Sequence, residues 1–264
     1  MVLDWLPGNQ ITELDVARKE LQLPRAAHFD GLKIGHLSDL HFTGQLSIEH
    51  YLFVFDRFLE LEPDLIVITG DIIDHDKCLP WIEPLLSRLQ APLGCTYLLG
   101  NHDLRLKDVA ALTSIIASLG HHDLGVSDQR IPLASGTEIL LTGNELPWLE
   151  RHSESPGDRR QAQAMWAQPQ DPHVLRLGLS HSPDQIEWAR RLRLDLVLAG
   201  HTHGGQVRFP AIGPIVAPSH YGTRFASGVF YLSPTLMHVS RGVAGTHPLR
   251  WRCRPEVSLL TLRA

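Results

Sequence analysis

Five short apolar runs of this chain end directly in polar residue types that bind divalent metal ions. Each run has the length of a β-strand, and continuous apolar runs of that length are typical of strands covered on both faces. The five runs lie at residues 32–37, 65–69, 96–99, 174–180 and 194–199. A sixth apolar run lies at residues 138–142. Because open α/β sheets bind ligands at the carboxyl ends of their strands, the pattern predicts an α/β fold with a polar site along that edge.

Helical spacing occurs between several of these runs. The segments that show it are residues 47–61, 81–90, 108–119 and 183–192. Ser47, with Glu49 soon after it, is a favourable helix start, and Gly120 is a favourable C-cap.

The last third of the chain has a different character. A long loop rich in glycine and proline begins at residue 207, and hairpin-like strands follow at 228–232, 235–240 and 257–262. An α/β part joined to a β-rich end predicts two mixed sheets packed face to face with helices outside, a four-layer α/β/β/α sandwich. Since no change in composition marks a linker, we expect one domain over residues 1–264.

Composition gives no support to several classes of protein. Acidic residues outnumber basic ones, 29 to 24, and no dense Lys/Arg run occurs, so no nucleic-acid partner is predicted. Cys78, Cys95 and Cys253 are too scattered for a disulfide framework or a zinc ribbon. Residues 1–20 are too polar for a signal peptide or a spanning helix, which predicts a cytoplasmic location.

The strand ends provide seven candidate nitrogen and oxygen ligands. They are Asp39, His41, Asp71, Asn101, His181, His201 and His203. Residues two apart in an extended segment point to the same side, so Asp39 can share a metal with His41, and His201 with His203. Asn101 and His102 are adjacent and should point differently, one to metal and one to substrate. The glycines before Asp71, Asn101 and His201 permit tight turns.

These ligand types indicate which metals to expect. Imidazole, carboxylate and amide groups without a thiolate suit manganese, iron or zinc. Seven ligands are too many for one catalytic ion that keeps an open position, so we expect two divalent ions. Two such ions with two carboxylates leave a charge of about +2, which a hydroxide and a phosphodiester monoanion would cancel.

The five blocks D-L-H, G-D, G-N-H-D, S-H-S-P-D and G-H-T-H occur in this order between Asp39 and His203. In this they resemble the calcineurin-like metallophosphoesterase family. The extension G-H-T-H-G-G-Q, the S-R-G at 240–242 and the C-terminal S-L-L-T-L resemble a branch of membrane-associated bacterial phosphoesterases. Some members of that branch cleave the pyrophosphate of nucleotide-linked lipid A precursors. We expect no membrane anchor or export signal before the first strand, which departs from the branch.

The resemblance implies a role for each site residue. Asp39, His41 and His203 would bind one ion, and Asn101, His181 and His201 the other, with Asp71 bridging both. His102 and Asp103 would be catalytic, His102 near the scissile phosphate and Asp103 orienting it.

The expected reaction is hydrolysis of a phosphoester, phosphodiester or pyrophosphate bond by a hydroxide held between the two ions. Manganese is the favoured ion, and no organic cofactor is expected. The substrate would be a small-molecule or lipid-linked phosphoester, with peripheral contact to a membrane.

Other interpretations stay open. The chain could instead hydrolyse amide or ester bonds, which Asn101 argues against, or bind metal without turnover, which Asp71 and His102 argue against. A structural role is the alternative for His102. His36 is interpreted as a core histidine, and His75 is left unassigned. Surface positions are favoured for His121, His122, His173, His220, His238 and His247.

Four residues and one segment also have more than one interpretation. Asn144 and Glu145 reach the crevice or form a turn. Trp148 and Trp166 belong to the core or to the pocket wall. The segment 208–228, with its aromatic and proline residues, is a candidate lid or apolar rim.

Overall fold

Two six-stranded mixed sheets form the centre of the computed structural model, which describes residues 7–151, 166 and 170–264. The first sheet has the order β1-β14-β2-β3-β4-β5. Its strands are β1 (Asp15–Gln22), β2 (Lys33–Leu37), β3 (Leu65–Thr69), β4 (Cys95–Leu98), β5 (His122–Asp123) and β14 (Glu256–Arg263). Strands β2 to β5 run parallel, and β14 is antiparallel to β2.

The second sheet has the order β12-β13-β9-β8-β7-β6. Its strands are β6 (Gln129–Pro132), β7 (Glu138–Asn144), β8 (Val174–Ser180), β9 (Leu196–Ala199), β12 (Gly228–Leu232) and β13 (Thr235–Val239). Here β7, β8, β9 and β13 run parallel. A separate small hairpin pairs β10 (Arg208–Phe209) with β11 (Gly213–Pro214).

Four α-helices cover the outer faces of the sheets in the described part of the chain. They are α1 (Ile48–Leu59), α2 (Ile82–Leu86), α3 (Val109–Ser118) and α4 (Ile186–Arg191). Short 3₁₀ helices lie at Pro24–Phe29, Asp76–Trp81, Asp103–Arg105, Pro183–Gln185 and His203–Gly205. The side chain of Ser47 caps α1 by accepting from the backbone of His50, as the sequence indicated.

Three apolar layers hold these elements together. Phe58 of α1 and Ile116 of α3 pack with Ile68 on the outer face of the first sheet. Between the sheets, Val67 of β3 belongs to the same buried cluster as Leu177 of β8. The helix α4 packs on the outer face of the second sheet. The predicted four-layer sandwich is therefore confirmed, and the single domain stays a prediction.

Several strands differ from the sequence expectation, and the short strands β5, β6, β10 and β11 were not among the predicted ones. The strand predicted at 257–262 was grouped with the C-terminal hairpin, but β14 lies in the first sheet, between β1 and β2. The strand β1 was not predicted, because only Leu21 of its eight residues is buried and no apolar run marks it. None of the described helices has the length and apolar character needed to cross a bilayer.

Candidate metal centre

The loops that leave β2, β3 and β9 have an unusual backbone where the candidate ligands stand. Asp39, His41, Asp71, His201 and His203 have φ values of 51°, 45°, 51°, 69° and 52°. Residues with a β-carbon rarely adopt this left-handed region. Each one costs roughly 1–3 kcal/mol and persists only where the surrounding structure holds it. Strain of this kind is typical of functional sites.

The structure brings all seven candidate ligands together in two adjacent groups. In the first group, ligand atoms of Asp39, His41, Asp71 and His203 lie within 4.8 Å of one another. In the second group, ligand atoms of Asp71, His181 and His201 also lie within 4.8 Å of one another. Asn101 joins the second group, with its Oδ1 3.2 Å from Nε2 of His181. Asp71 is common to both.

His201 and His203 fall into different groups, so the argument from extended spacing was wrong for this pair. The reason is the backbone: both residues have positive φ, and His203 begins a 3₁₀ helix rather than continuing a strand.

Hydrogen bonds fix how the imidazoles are presented. Nδ1 of His181 donates to the Thr69 carbonyl at 2.7 Å, and Nδ1 of His203 to the Ala244 carbonyl at 3.1 Å. Nδ1 of His41 pairs with Oδ2 of Asp74 at 2.7 Å. A neutral imidazole has one N–H, so Nε2 of each ring carries a lone pair. Partners that fix the outer nitrogen are typical of metal-ligating histidines.

These lone pairs face one another and face carboxylate oxygens. Nε2 of His41 lies 3.3 Å from Nε2 of His203, and Nε2 of His181 lies 3.2 Å from Nδ1 of His201. Oδ2 of Asp71 lies 3.4 Å from His41 and 3.3 Å from His181, yet it has no hydrogen-bond partner among the described residues. A buried orphaned carboxylate oxygen among lone pairs is an arrangement that cations satisfy, so the residues fit two ions.

The electrostatics of the site also favour positive charge. Burial would raise the pKa of Asp71, but His181, His41 and His102 hold that pKa well below its ordinary value. Burial would lower the pKa of His181, but Asp71 and Asp39 raise it to about 9. Burial and the neighbouring His181 lower the pKa of His201 to about 4. A positive charge beside Asp71 is thus stabilised, either as a proton on Nε2 of His181 or as an ion that takes the place of that proton, whereas the His201 ring stays neutral.

His102 lies beside both groups. Its backbone N–H donates to Oδ1 of Asp71 at 2.8 Å, and its Nε2 lies 4.0 Å from Oδ2 of the same residue. Its Nδ1 forms a short contact with Oδ1 of Asp74. The ring therefore presents Nε2 towards the centre.

The expectation that Asp103 orients His102 was wrong. The Asp103 carboxylate accepts from the backbone of Ile72 and Ile73 at 2.9 Å and of Gly100 at 2.8 Å. It is fully buried and ties the loop after β3 to the loop after β4. Asp74 takes the orienting position instead.

Sequence reasoning missed two residues of this region. Asp74 is buried and pairs with both His41 and His102, although the G-D-I-I-D sequence offered only an acid three residues after Asp71 as its signal. His75 beside it is exposed. Arg250 is fully buried and donates to the carbonyl of His203 and to that of Ala244, which also accepts from Nδ1 of the His203 ring. No motif marks it.

Gly100 and Gly200 are required because neighbouring side chains approach their α-carbons too closely for a β-carbon to fit. A β-carbon on Gly100 would lie 2.3 Å from Oδ1 of Asp71, and one on Gly200 would lie 1.8 Å from Oγ of Ser38 and 2.4 Å from Oδ2 of Asp39. All three distances are far below any real contact of a β-carbon. The glycines before Asn101 and His201 thus allow neighbouring strand ends to meet.

Several open interpretations are resolved by burial and contact. Trp148 is part of the site wall, with its ring 4.7 Å from that of His201 and 5.4 Å from that of His181. Trp166 is buried in the core. Asn144 caps a turn by accepting from the backbone of Leu146. Glu145 pairs with Arg151 and accepts from the backbone of Leu99, so it too is structural.

The surface assignment was wrong for two histidines. His238 and His121 are buried. His121 contacts the Leu86 carbonyl. His36 is buried as expected, and its ring contacts that of His238.

A sandwich that gathers carboxylate, amide and imidazole groups around a shared carboxylate defines a metal-dependent hydrolase. Residues 32–205 match the family model described as calcineurin-like phosphoesterase. The chain is 33% identical to the uncharacterized metallophosphoesterase YkuE of Bacillus subtilis, over 98% of this chain and 88% of that protein. The chain therefore belongs to the calcineurin-like phosphoesterase family, and it is a metal-dependent phosphoesterase.

Further relatives have more specific names. The phosphodiesterase YaeI of Escherichia coli is 29% identical over 87% of this chain and 82% of its own length. The UDP-2,3-diacylglucosamine pyrophosphatase LpxG of Chlamydia muridarum is 27% identical over 98% and 93%. A crystal structure of a dimetal phosphatase from Danio rerio shares the fold, with a TM-score of 0.52, 13% identity and coverage of 88% and 99%.

Proposed function

We propose that Asp39, His41 and His203 bind one divalent ion, that Asn101, His181 and His201 bind the other, and that Asp71 bridges them. The observation that carries this assignment is the unpartnered Oδ2 of Asp71, which lies between Nε2 of His41 and Nε2 of His181. Manganese is the proposed ion, with iron or zinc as alternatives, because the ligands are nitrogen and oxygen atoms without a thiolate.

The bound ions would supply a water of lowered pKa and would offset charge on the phosphoryl oxygens. Side chains of the protein would provide the proton for the leaving group and limit the access of solvent. His102, held by Asp74 at Nδ1, donates a proton from Nε2 to the leaving oxygen. Trp148 covers His201 and His181 and limits the access of solvent from that side.

The proposed substrate is a phosphodiester or pyrophosphate that carries an apolar group. Ile212, Ile215 and Val216, on and just after the β10–β11 hairpin, expose 74%, 60% and 73% of their surface. The hairpin is anchored beside the centre, since Arg208 donates to the carbonyl of Gly204, next to His203. Phe209 packs edge-to-face on Trp251 at 5.4 Å. Exposed aliphatic residues together with aromatic ones suit a lipid-linked substrate or a membrane surface.

Metal analysis and turnover on the same sample test this proposal. The purified chain should bind two ions per monomer, lose activity with a chelator and regain it with manganese. It should hydrolyse bis-p-nitrophenyl phosphate but not p-nitrophenyl acetate or an amide of p-nitroaniline. A fully active sample with one ion or none would overturn the two-ion assignment. Two bound ions with no turnover on any phosphoester would favour a non-catalytic metal protein.

A further inference from the structure

A continuous line of side chains joins the surface of β1 to the metal-centre residue Asp39. Nζ of Lys19 lies 3.1 Å from Nε2 of His238, and Nδ1 of His238 lies 2.9 Å from Nδ1 of His36. Nε2 of His36 lies 2.9 Å from Oγ1 of Thr69. The Thr69 hydroxyl lies 2.7 Å from Oγ of Ser38, which lies 2.6 Å from Oδ2 of Asp39. Every group from His238 to Asp39 is buried.

The direction of each bond follows from the number of protons available. An ionised carboxylate only accepts, so Ser38 donates its single proton to Asp39. Ser38 must then accept from Thr69, and Thr69, having used its own proton, must accept from Nε2–H of His36.

The two histidines complete the series. Burial lowers the pKa of both His36 and His238, so both rings are neutral. With Nε2 of His36 protonated, its Nδ1 accepts from Nδ1–H of His238. Nε2 of His238 then accepts from the Lys19 ammonium. All five donors point towards Asp39, and each of the groups from His238 to Ser38 donates one proton and accepts one.

Strand geometry explains why this line reaches the site. Residues Ile34 and His36 of β2, like Leu236 and His238 of β13, alternate onto the same inner face. Ile34 and Leu236 belong to the apolar layer between the sheets. His36 and His238 each lie two residues closer to the carboxyl end of the strand than Ile34 and Leu236. At that level the contact between the sheets is therefore polar instead of apolar, and it lies next to the metal centre.

The outer end of the line is open to solvent. The side chain of Lys19 is 26% exposed and also donates to Oε1 of Glu256 at 2.6 Å. It lines a surface cavity of about 410 Å³ with Arg208, Arg241 and Glu256. The line therefore ends on the Lys19 ammonium, a partly exposed charge that can be removed by mutation without leaving a cavity in the core.

We propose that Lys19, His238, His36 and Thr69 are positioning residues that act through Ser38 to fix the Asp39 carboxylate. Ser38 donates to Oδ2, and the backbone N–H of His201 lies 3.0 Å from Oδ1 and 3.1 Å from Oδ2. Ser38 thereby fixes the side of the carboxylate away from His203, whose Nε2 lies 3.5 Å from Oδ1. The inference rests on the proposed role of Asp39 as a ligand. It assigns a function in metal binding to histidines that would otherwise only fill the core.

The test is a calorimetric titration of metal-free protein with Mn²⁺, which reports two dissociation constants independently of activity. Thr69→Val removes only the hydroxyl and interrupts the line. It should raise one dissociation constant by about 10–100-fold, the usual effect of losing a contact behind a ligand, and change the other by less than about 3-fold. Thr69→Ser keeps a hydroxyl and should restore tight binding. Lys19→Met should raise the same constant by a smaller factor.

The matched control is Thr96→Val, which removes a buried hydroxyl from the neighbouring strand β4, where it contacts the His122 carbonyl. It should leave both constants unchanged. Unchanged binding in Thr69→Val, or equal weakening of both ions, would overturn the inference. If Thr69→Val fails to fold, Lys19→Met decides, since normal binding in that partly exposed variant would also overturn it.

Asp39→Ala separates this inference from the proposed function. If Asp39→Ala still binds two ions with unchanged constants, Asp39 is not a ligand and the metal assignment itself fails. If Asp39→Ala loses one ion while Thr69→Val and Lys19→Met bind normally, the assignment stands and only the positioning role is wrong.

Discussion

At the residue scale, Asp74 is a single buried carboxylate that sets the direction of two imidazoles. Its Oδ2 contacts Nδ1 of His41, and its Oδ1 contacts Nδ1 of His102. The pKa of Asp74 is lowered by these contacts despite its burial, so the carboxylate stays ionised. A proposed metal ligand and a proposed proton donor therefore depend on one acid.

His102→Ala should affect chemistry and leave metal binding intact. A basic alkoxide needs a proton as it leaves, whereas p-nitrophenolate departs without one, and acid catalysis typically contributes ~10²–10⁴-fold. The variant should therefore lose far more activity on alkyl phosphodiesters than on p-nitrophenyl esters. Measured kcat for both substrate types, with metal analysis, checks this. Asp74→Asn is the comparison, and it should lose activity and metal together. Equal losses of His102→Ala on both substrates would contradict a proton-donor role.

Asp71→Asn should lose activity by about 10²-fold or more, because it removes a negative charge from between both metal groups. Its metal content should fall below two ions per monomer. Elemental analysis and kcat on bis-p-nitrophenyl phosphate measure both effects. The control is His75→Asn, four residues along the same loop, which is exposed and should behave as the unmodified chain. Normal turnover with two ions in Asp71→Asn would refute the bridging role.

At the scale of secondary-structure elements, the sequence predicted best where burial leaves a clear pattern. Strands β3 and β8 begin and end at the predicted residues, because both are continuous apolar runs. The pairing of β14 with β2 was not predictable, since an apolar strand is equally suited to either sheet. Asp74 and Arg250 were missed for a related reason: their partners are set by tertiary packing and not by spacing along the chain.

The β10–β11 hairpin is expected to contact lipid. Changing Ile212, Ile215 and Val216 together to Ser should reduce co-sedimentation with phospholipid vesicles and raise KM for an acyl-bearing substrate. It should leave kcat on bis-p-nitrophenyl phosphate unchanged, because the three side chains are exposed and none of them is a proposed ligand or proton donor. Phe53→Ser is the matched control, since Phe53 is 51% exposed but lies on α1. Equal vesicle binding by all three proteins would show that the exposed residues serve another purpose.

At the scale of the whole molecule, the two sheets are joined by charge as well as by apolar packing. Glu256 on β14 accepts from Lys19 on β1 and from Ser258, and it pairs with Arg241, which follows β13 of the other sheet. Arg241 also pairs with Asp15. The carboxylate is buried while its cationic partners are partly exposed, so the contact is a buried ion pair at the edge of the sandwich.

The stability of the fold should therefore depend on the ionisation of Glu256. Burial would raise its pKa, but the charges of Lys19 and Arg241 hold that pKa well below the ordinary value of 4.5. A carboxyl with a depressed folded-state pKa stabilises the fold fully above its unfolded value and loses that contribution as the pH falls through the folded one. Glu256→Gln should lower the free energy of unfolding at pH 7 by roughly 2–4 kcal/mol, because it leaves buried donors unpaired.

The unmodified chain and Glu256→Gln should differ less in free energy of unfolding as the pH falls below 4.5, because the unmodified chain then begins to lose the contribution of ionised Glu256. Urea unfolding in chelator at pH 7 and at pH 3.5–4 measures it, with metal removed so that ligand binding does not contribute. Glu20→Gln is the control, because Glu20 pairs with Arg263 on the surface and should change stability by less than about 1 kcal/mol. A Glu256→Gln deficit that stays constant across this pH range would show that shape, and not charge, makes Glu256 stabilising.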